Sequence, residues 1–221
     1  AWRVAAPLLE RRGIPGPSPP GRGSVPGGAA QALLRLGEGE RLWEALFRGQ
    51  AYEPLLKALP EGKRPDLRAQ ALYRLGRYRE ALPHYRAWAE EDPRGYLGLG
   101  YALWRLGRRE EALEAFARYD HPESRLAQGR LLEEMGRVEE ALSRYLESTP
   151  EGLWRATALL ERLGRKEEAL GVYLRLARGE SPYADDAALR AYLLAGELGK
   201  GEARREAYAR LEGGLGLLVG K

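Results

Sequence analysis

Apolar residues along this chain recur at spacings of three and four, in blocks that end at a glycine or a proline. That period predicts amphipathic helices and no strands. The first blocks, 29–36, 40–48 and 51–59, are short, and Pro60, Gly62 and Pro65 then interrupt the pattern. From residue 66 onward the chain repeats itself. Leu72-Tyr-Arg-Leu75-Gly76-Arg-Tyr-Arg-Glu80-Ala81-Leu82-Pro-His-Tyr85 is followed by Leu103-Trp-Arg-Leu106-Gly107-Arg-Arg-Glu-Glu111-Ala112-Leu113-Glu-Ala-Phe116. Two further copies centre on Gly136 and Gly164, with Glu140-Ala141-Leu142 and Tyr145 in one and Glu168-Ala169-Leu170 and Tyr173 in the other. The four glycines stand 31, 29 and 28 residues apart, and a degraded fifth copy follows Gly199, with Tyr208 nine residues on.

Each copy reads as a helical hairpin. One amphipathic stretch closes at the glycine, which adopts the left-handed conformation that ends helices. A second stretch runs on to the neighbourhood of Pro93, Pro122, Pro150 or Pro182. Proline is tolerated at the start of the next helix because its missing amide would have had no partner there. A single hairpin of this size cannot bury its apolar face, so the hairpins must stack on one another.

The pattern Leu-x-x-Leu-Gly-x-x-x-Glu-Ala-Leu-x-x-Tyr resembles the tetratricopeptide repeat over roughly residues 66–180, more weakly to about 213. Seven residues before the glycines stand Ala69, Gly100, Gly129 and Thr157, matching the family's small residue on the first helix. Ala81, Ala112, Ala141 and Ala169 match the small residue on the second, and Tyr85, Phe116, Tyr145 and Tyr173 match its aromatic. The resemblance implies an all-α fold, an α-solenoid of stacked helix-turn-helix repeats in a superhelix. It also implies a non-catalytic protein–protein interaction scaffold or adaptor that holds a segment of a partner. The units here are shorter than the family's usual length, and only Pro93 stands in the family's proline register.

In this family the first helix of each unit lines the binding groove. Its outward positions are taken as six, three and two residues before the glycine. These give Gln70, Tyr73 and Arg74, then Tyr101, Trp104 and Arg105, then Arg130, Glu133 and Glu134, then Ala158, Glu161 and Arg162. The set is aromatic and basic early and acidic in the middle. Exposed Trp and Tyr beside Arg are what protein interfaces enrich. The competing reading is that Tyr73 and Trp104 pack sideways while the charges form a solvated face with helix-spaced ion pairs. Some family members grip a terminal carboxylate with Lys, Asn and Arg; this chain has no Asn, but Arg74, Arg105 and Arg130 can pair with an acidic peptide.

Composition narrows the function. The chain has 221 residues and no cysteine, which removes disulfides, thiolate chemistry and Cys-type zinc sites. His84 and His121 are its two histidines; neither has metal-ligand spacing or a triad partner, so both are read as surface residues, and no metal, cofactor or catalytic residue is expected. Of the +4 net charge, +3 belongs to residues 1–28, where Arg3, Arg11, Arg12 and Arg22 stand against Glu10. The remaining residues are nearly balanced, with signs interleaved, which argues against the basic stripe that phosphate binding requires. An RNA- or DNA-binding helical repeat, or a structural self-assembling subunit, are the alternatives to a protein-binding role. Five Lys against 31 Arg and no Asn suit a heat-adapted protein or a GC-rich genome. No run is long enough to span a membrane. The compartment stays open between cytoplasm and export, since Ala1 fits Met removal, signal cleavage or a cut chain equally.

The expected organisation is therefore a Pro/Gly-rich basic tail over 1–28 and irregular short helices over 29–65. About five hairpins over 66–213 and an apolar tail over 214–221 complete it. That last stretch is expected either to be a fraying helix that caps the final hairpin or to provide a patch for a homo-oligomer.

Overall fold

The computed structural model describes residues 39–219, and of residues 214–219 the backbone alone. The expected basic tail 1–28 and the block at 29–36 lie outside the described residues. Twelve helices and no strand occur among the described residues. The chain adopts the all-α solenoid architecture of stacked helix-turn-helix repeats that its pattern predicts. It divides into two compact units at Arg118 and Tyr119. Unit 1 holds α1 (Gly39–Arg48), α2 (Tyr52–Ala58), α3 (Pro65–Arg74), α4 (Tyr78–Glu91), α5 (Arg94–Arg105) and α6 (Arg109–Ala117). Unit 2 holds α7 (Pro122–Glu134), α8 (Val138–Leu146), α9 (Pro150–Arg162), α10 (Lys166–Ala177), α11 (Ala184–Glu197) and α12 (Gly201–Val219). The hairpins are α3/α4 and α5/α6 in unit 1, and α7/α8, α9/α10 and α11/α12 in unit 2.

The turns explain the repeated glycine. Gly76, Gly107, Gly136 and Gly164 have φ between +71° and +75°, a region that side chains with a Cβ rarely enter. Gly76 N–H donates to the Tyr73 carbonyl at 3.0 Å and Arg77 N–H to the Leu72 carbonyl at 2.9 Å. This pair of bonds closes the last turn of α3 and recurs at the other three glycines. The residue after each glycine is an arginine that begins the second helix. Arg77 lays its guanidinium on Glu80 through Nε at 2.8 Å and Nη2 at 2.5 Å, and Arg108–Glu111, Arg137–Glu140 and Arg165–Glu168 repeat the fork. These pairs are solvated and each adds little to stability, but they tie the arginine at the start of each second helix to that helix's first turn.

Packing explains the small residues and the aromatics. Ala81, Ala112, Ala141 and Ala169 are wholly buried, and the rings nine residues after the glycine, Tyr85, Phe116, Tyr145 and Tyr173, are 3% exposed or less. Each ring needs a neighbour that leaves room. A Cβ on Gly100 would stand 2.4 Å from Phe116 Cε1, and one on Gly129 2.5 Å from Tyr145 Cδ1. At Tyr85 the next hairpin also packs on the ring, since a Cβ on Gly98 of α5 would meet Tyr85 Cε1 of α4 at 2.1 Å.

Ahead of the hairpins, α1 and α2 form a small core of Leu42, Trp43, Leu46, Leu55 and Leu59 that continues onto Leu67 and Ala71 of α3. Trp43 Nε1 donates to the Ala58 carbonyl at 3.2 Å. Arg64, itself left-handed at φ +47°, starts α3 with its guanidinium on Asp66 and Glu40.

Two features differ from the sequence reading. The final helix, α12, runs on to Val219, past the tail boundary expected at 213. Glycine in a helix interior costs about 1 kcal/mol relative to alanine and lowers helicity without forbidding it. Tyr208, the fifth repeat's aromatic, is 48% exposed because no described helix packs over α12 as α5 packs over α4. The side chains of 214–221, on which the expected cap or oligomer patch depends, lie outside the description.

The ring contact predicts opposite signs for one substitution at two glycines. Gly171 sits in the middle of α10 with nothing within 4 Å of an added Cβ, so Gly171→Ala should raise stability by about 0.5–1 kcal/mol. Gly100→Ala should lower it by about 1–3 kcal/mol as Phe116 is displaced. Thermal melts of the two variants check this; equal shifts would show that the ring does not constrain the first helix.

Candidate partner-binding surface

In unit 1, the six predicted residues lie on α3 and α5, which pack against each other. Tyr73 is half-buried. Its ring meets Tyr78 edge-on at 5.1 Å and Tyr85 at 6.4 Å. Tyr101 and Trp104 stack at 6.1 Å with their planes 11° apart, and both meet buried Phe116 edge-on, at 5.2 and 6.4 Å. One face of this aromatic layer lies on the core and the other on the surface. Arg74 and Arg105 are exposed beside it, and among the described residues neither has a carboxylate within ion-pair distance. The neighbouring Tyr73 hydroxyl raises the pKa of Arg105 above its ordinary value. Gln70 is half-buried on α3.

Unit 2 uses the same positions differently. Three residues before the glycine stand Glu133 and Glu161, and both accept a phenolic hydrogen bond, from Tyr145 at 2.7 Å and from Tyr173 at 2.9 Å. Arg162 on α9 pairs with Glu133 on α7 at 3.6 Å, so these charges tie neighbouring first helices together. Arg130 is exposed. Of the unit 2 residues proposed for a partner, Glu133, Glu161 and Arg162 are therefore already engaged within the chain.

The position three before the glycine is thus not simply outward. It faces its own hairpin's aromatic: Tyr73 against Tyr85, Trp104 against Phe116, Glu133 against Tyr145, and Glu161 against Tyr173. A long side chain there curls back over the ring, which helical periodicity alone does not reveal. Tyr78 and Trp88, which stacks on Tyr85 at 6.2 Å, extend the unit 1 layer and were missed because they belong to the second helix. The histidines also differ in part from a surface reading. Burial, with Arg68 nearby, lowers the pKa of half-buried His84. His121 stacks on Tyr119 at 5.1 Å, and its Nδ1 accepts the Glu123 amide at 3.3 Å, capping α7.

The sequence matches the family model described as tetratricopeptide repeat at residues 67–125 and 126–185, more than half of the chain. The chain belongs to the tetratricopeptide repeat family. Among solved structures it is similar to the MamA protein, at 15% identity over 65% of this chain and 84% of that one, with a TM-score of 0.43. It is likewise similar to YrrB, described as a TPR protein with an unusual peptide-binding site, at 19% identity over 73% and 89% with a TM-score of 0.45. PilW, described as a widely conserved type IV pilus biogenesis factor, gives 18% identity over 83% and 89% with a TM-score of 0.44. No curated protein matches the chain in sequence. As a tetratricopeptide repeat protein it carries a fold suited to protein–protein interaction. No helix among the described residues is long and apolar enough to cross a membrane.

The buried tyrosines give the tetratricopeptide core a pH signature. Burial raises the phenols of Tyr85, Tyr145 and Tyr173, and at Tyr145 the bond to Glu133 raises it further. A raised acid holds its proton in the folded chain and releases it on unfolding, so this contribution is complete below pH about 10 and declines as pH rises above it. Denaturant titrations should show stability falling from about pH 10 upward, with a shallower fall in Tyr145→Phe. An unchanged slope in that variant would mean Tyr145 is not held protonated by the fold.

Proposed function

We propose that this protein is a non-catalytic scaffold whose unit 1 first-helix face, Gln70, Tyr73, Arg74, Tyr101, Trp104 and Arg105, holds a segment of a partner protein with acidic character. The observation that carries this reading is the contrast between the units. At equivalent positions unit 2 engages Glu133, Glu161 and Arg162 internally, whereas unit 1 presents a stacked Tyr101–Trp104 pair beside two arginines that lack carboxylate partners among the described residues. An aromatic anchor with a charged border is the usual division of labour in an interface. Guanidinium groups favour carboxylates because the planar fork matches both oxygens. Glu133, Glu161 and Arg162 enter the proposal as a secondary contact at most, since a partner there would have to displace existing bonds, and exposed Arg130 joins them as a further cation. A homo-oligomer through residues 214–221 stays part of the proposal, as does the division into tail, short helices, hairpins and apolar end.

The probe is an array of synthetic acidic peptides with one aromatic or aliphatic anchor, screened against the whole chain. Trp104→Ala should weaken capture of the array's binders by about 2 kcal/mol, a typical hot-spot loss, with the melting temperature retained. Arg105→Glu should weaken it further and reduce its salt sensitivity. A Trp104→Ala chain that stays folded and binds equally well would end the proposal, and one that unfolds would place Trp104 in the core. Retention on single-stranded RNA that Arg105→Glu abolishes, without any peptide binding, would favour the nucleic-acid alternative.

A further inference from the structure

The arginine that opens a second helix works in two directions. Forward, it holds the glutamate three residues on through Nε and Nη2. Backward, its Nη1 reaches the preceding hairpin: Arg165 Nη1 meets Glu139 of α8 at 2.9 Å, and Arg77 Nη1 meets Glu53 of α2 at 3.5 Å. The last hairpin keeps this rung with Lys200 on Glu167 of α10 at 3.8 Å. Each accepting glutamate stands three residues after the left-handed residue of its own turn. In α1/α2 that residue is Gln50, at φ +56°. Its turn closes with the same pair of bonds, Gln50 N–H to the Phe47 carbonyl at 3.0 Å and Ala51 N–H to the Leu46 carbonyl at 2.9 Å. Along the chain this position holds Glu53, Arg79, Glu110, Glu139, Glu167 and Glu202. One of the six has the wrong sign.

Arg79 breaks two electrostatic rules at once. It lies in the first turn of α4, at the positive end of the helix dipole, where its five counterparts are carboxylates. It also takes the position from which a glutamate would answer Arg108, the arginine that opens α6. Arg108 holds Glu111 through Nε and Nη2, but among the described residues its Nη1 has no carboxylate within ion-pair distance. Exposed Arg79 has none either. The neighbouring acids are already engaged. Glu80 is forked by Arg77, and Arg108, with Arg86 of α4 behind it, holds the Glu111 carboxyl below its ordinary range. Arg109, next along α6, adds another exposed cation. A local rule broken without compensation inside the chain is expected where a function needs it.

We infer that the Arg79–Arg108 edge of unit 1 is a docking point for an Asp or Glu side chain of a partner protein, which completes the rung that the chain itself leaves unmade. A carboxylate suits the place because its two oxygens accept guanidinium N–H bonds in pairs. Glu80 and Glu111 border the two arginines, so a polyanion laid across this edge would be repelled on both sides, whereas a single carboxylate would not. The edge is built from the starts of second helices. It is therefore distinct from the first-helix face proposed above and does not rest on it.

The test uses the full chain and a labelled peptide of alternating Glu and Ser, with a Gln and Ser peptide as control, read by fluorescence anisotropy at low salt. Arg79→Glu should weaken the acidic peptide by about fivefold or more. The same substitution should raise the melting temperature by roughly 1–3 °C, because it supplies the missing rung. Arg144→Glu, an equal change of charge on an exposed position of α8, should weaken the peptide much less. Glu139→Arg recreates the broken rung beside Arg165, so it should lower the melting temperature and strengthen acidic-peptide binding. Trp104→Ala should leave the loss caused by Arg79→Glu unchanged, which separates this contact from the first-helix face. The inference is overturned if Arg79→Glu brings no gain in melting temperature, or no greater loss of binding than Arg144→Glu. Equal binding of the Gln and Ser peptide would also overturn it. So would Arg79-dependent binding of single-stranded DNA or of phosphatidylserine vesicles that exceeds binding of the peptide, because the partner would then carry phosphate.

Discussion

A ring laid over a residue too small to push it away closes the α5/α6 and α7/α8 hairpins of this protein. Phe116 rests against Gly100 and Tyr145 against Gly129, at separations that leave no space for even one carbon atom. The close helix approach this permits buries Ala112 and Ala141 completely. In unit 1 the ring of Tyr85 also receives Gly98 of the following hairpin. The left-handed glycine and the Arg–Glu fork at each turn serve the same end, since they set where the second helix begins and hence where its ninth-position ring lands. Core packing at interior density makes such contacts sensitive to single methyl groups.

The same ring decides what the surface above it can do. A phenol needs a partner for its hydroxyl when buried, and Glu133 and Glu161 provide it, which draws those carboxylates into the fold. Phe116 has no hydroxyl, so Trp104 can lie on it as plain aromatic surface with Tyr101 stacked alongside. The hairpin of α3 is intermediate: Tyr73 meets Tyr85 edge-on, and its hydroxyl raises the pKa of Arg105 from the next hairpin.

How far the sequence could be read follows from the physics of each signal. The hairpins were legible because a left-handed turn all but requires glycine, and because burial repeats at helical spacing. Tyr73, Trp104, Glu133 and Glu161 were placed on the right helices but assigned too simply to the outer face. Periodicity gives the direction of a Cβ, not the path of a long side chain that folds back on its neighbour. The run of α12 to Val219, past the boundary set at 213, was legible only as a fraying helix end, because Gly213, Gly214 and Gly216 weaken a helix without ending it. Exposed Leu189 and Leu193 were invisible as a surface, since apolar residues at that spacing read as core until the packing is known.

The claim that the ring and the small residue form one mechanical contact is tested most directly by a double-mutant cycle on Gly129 and Tyr145, read as denaturant stability. If the contact organises the hairpin, Gly129→Ala should be destabilising in the parent and much less so beside Tyr145→Leu. The cycle should then show a coupling of about 0.5–3 kcal/mol. Strict additivity, with Gly129→Ala costing the same in both backgrounds, would contradict the account.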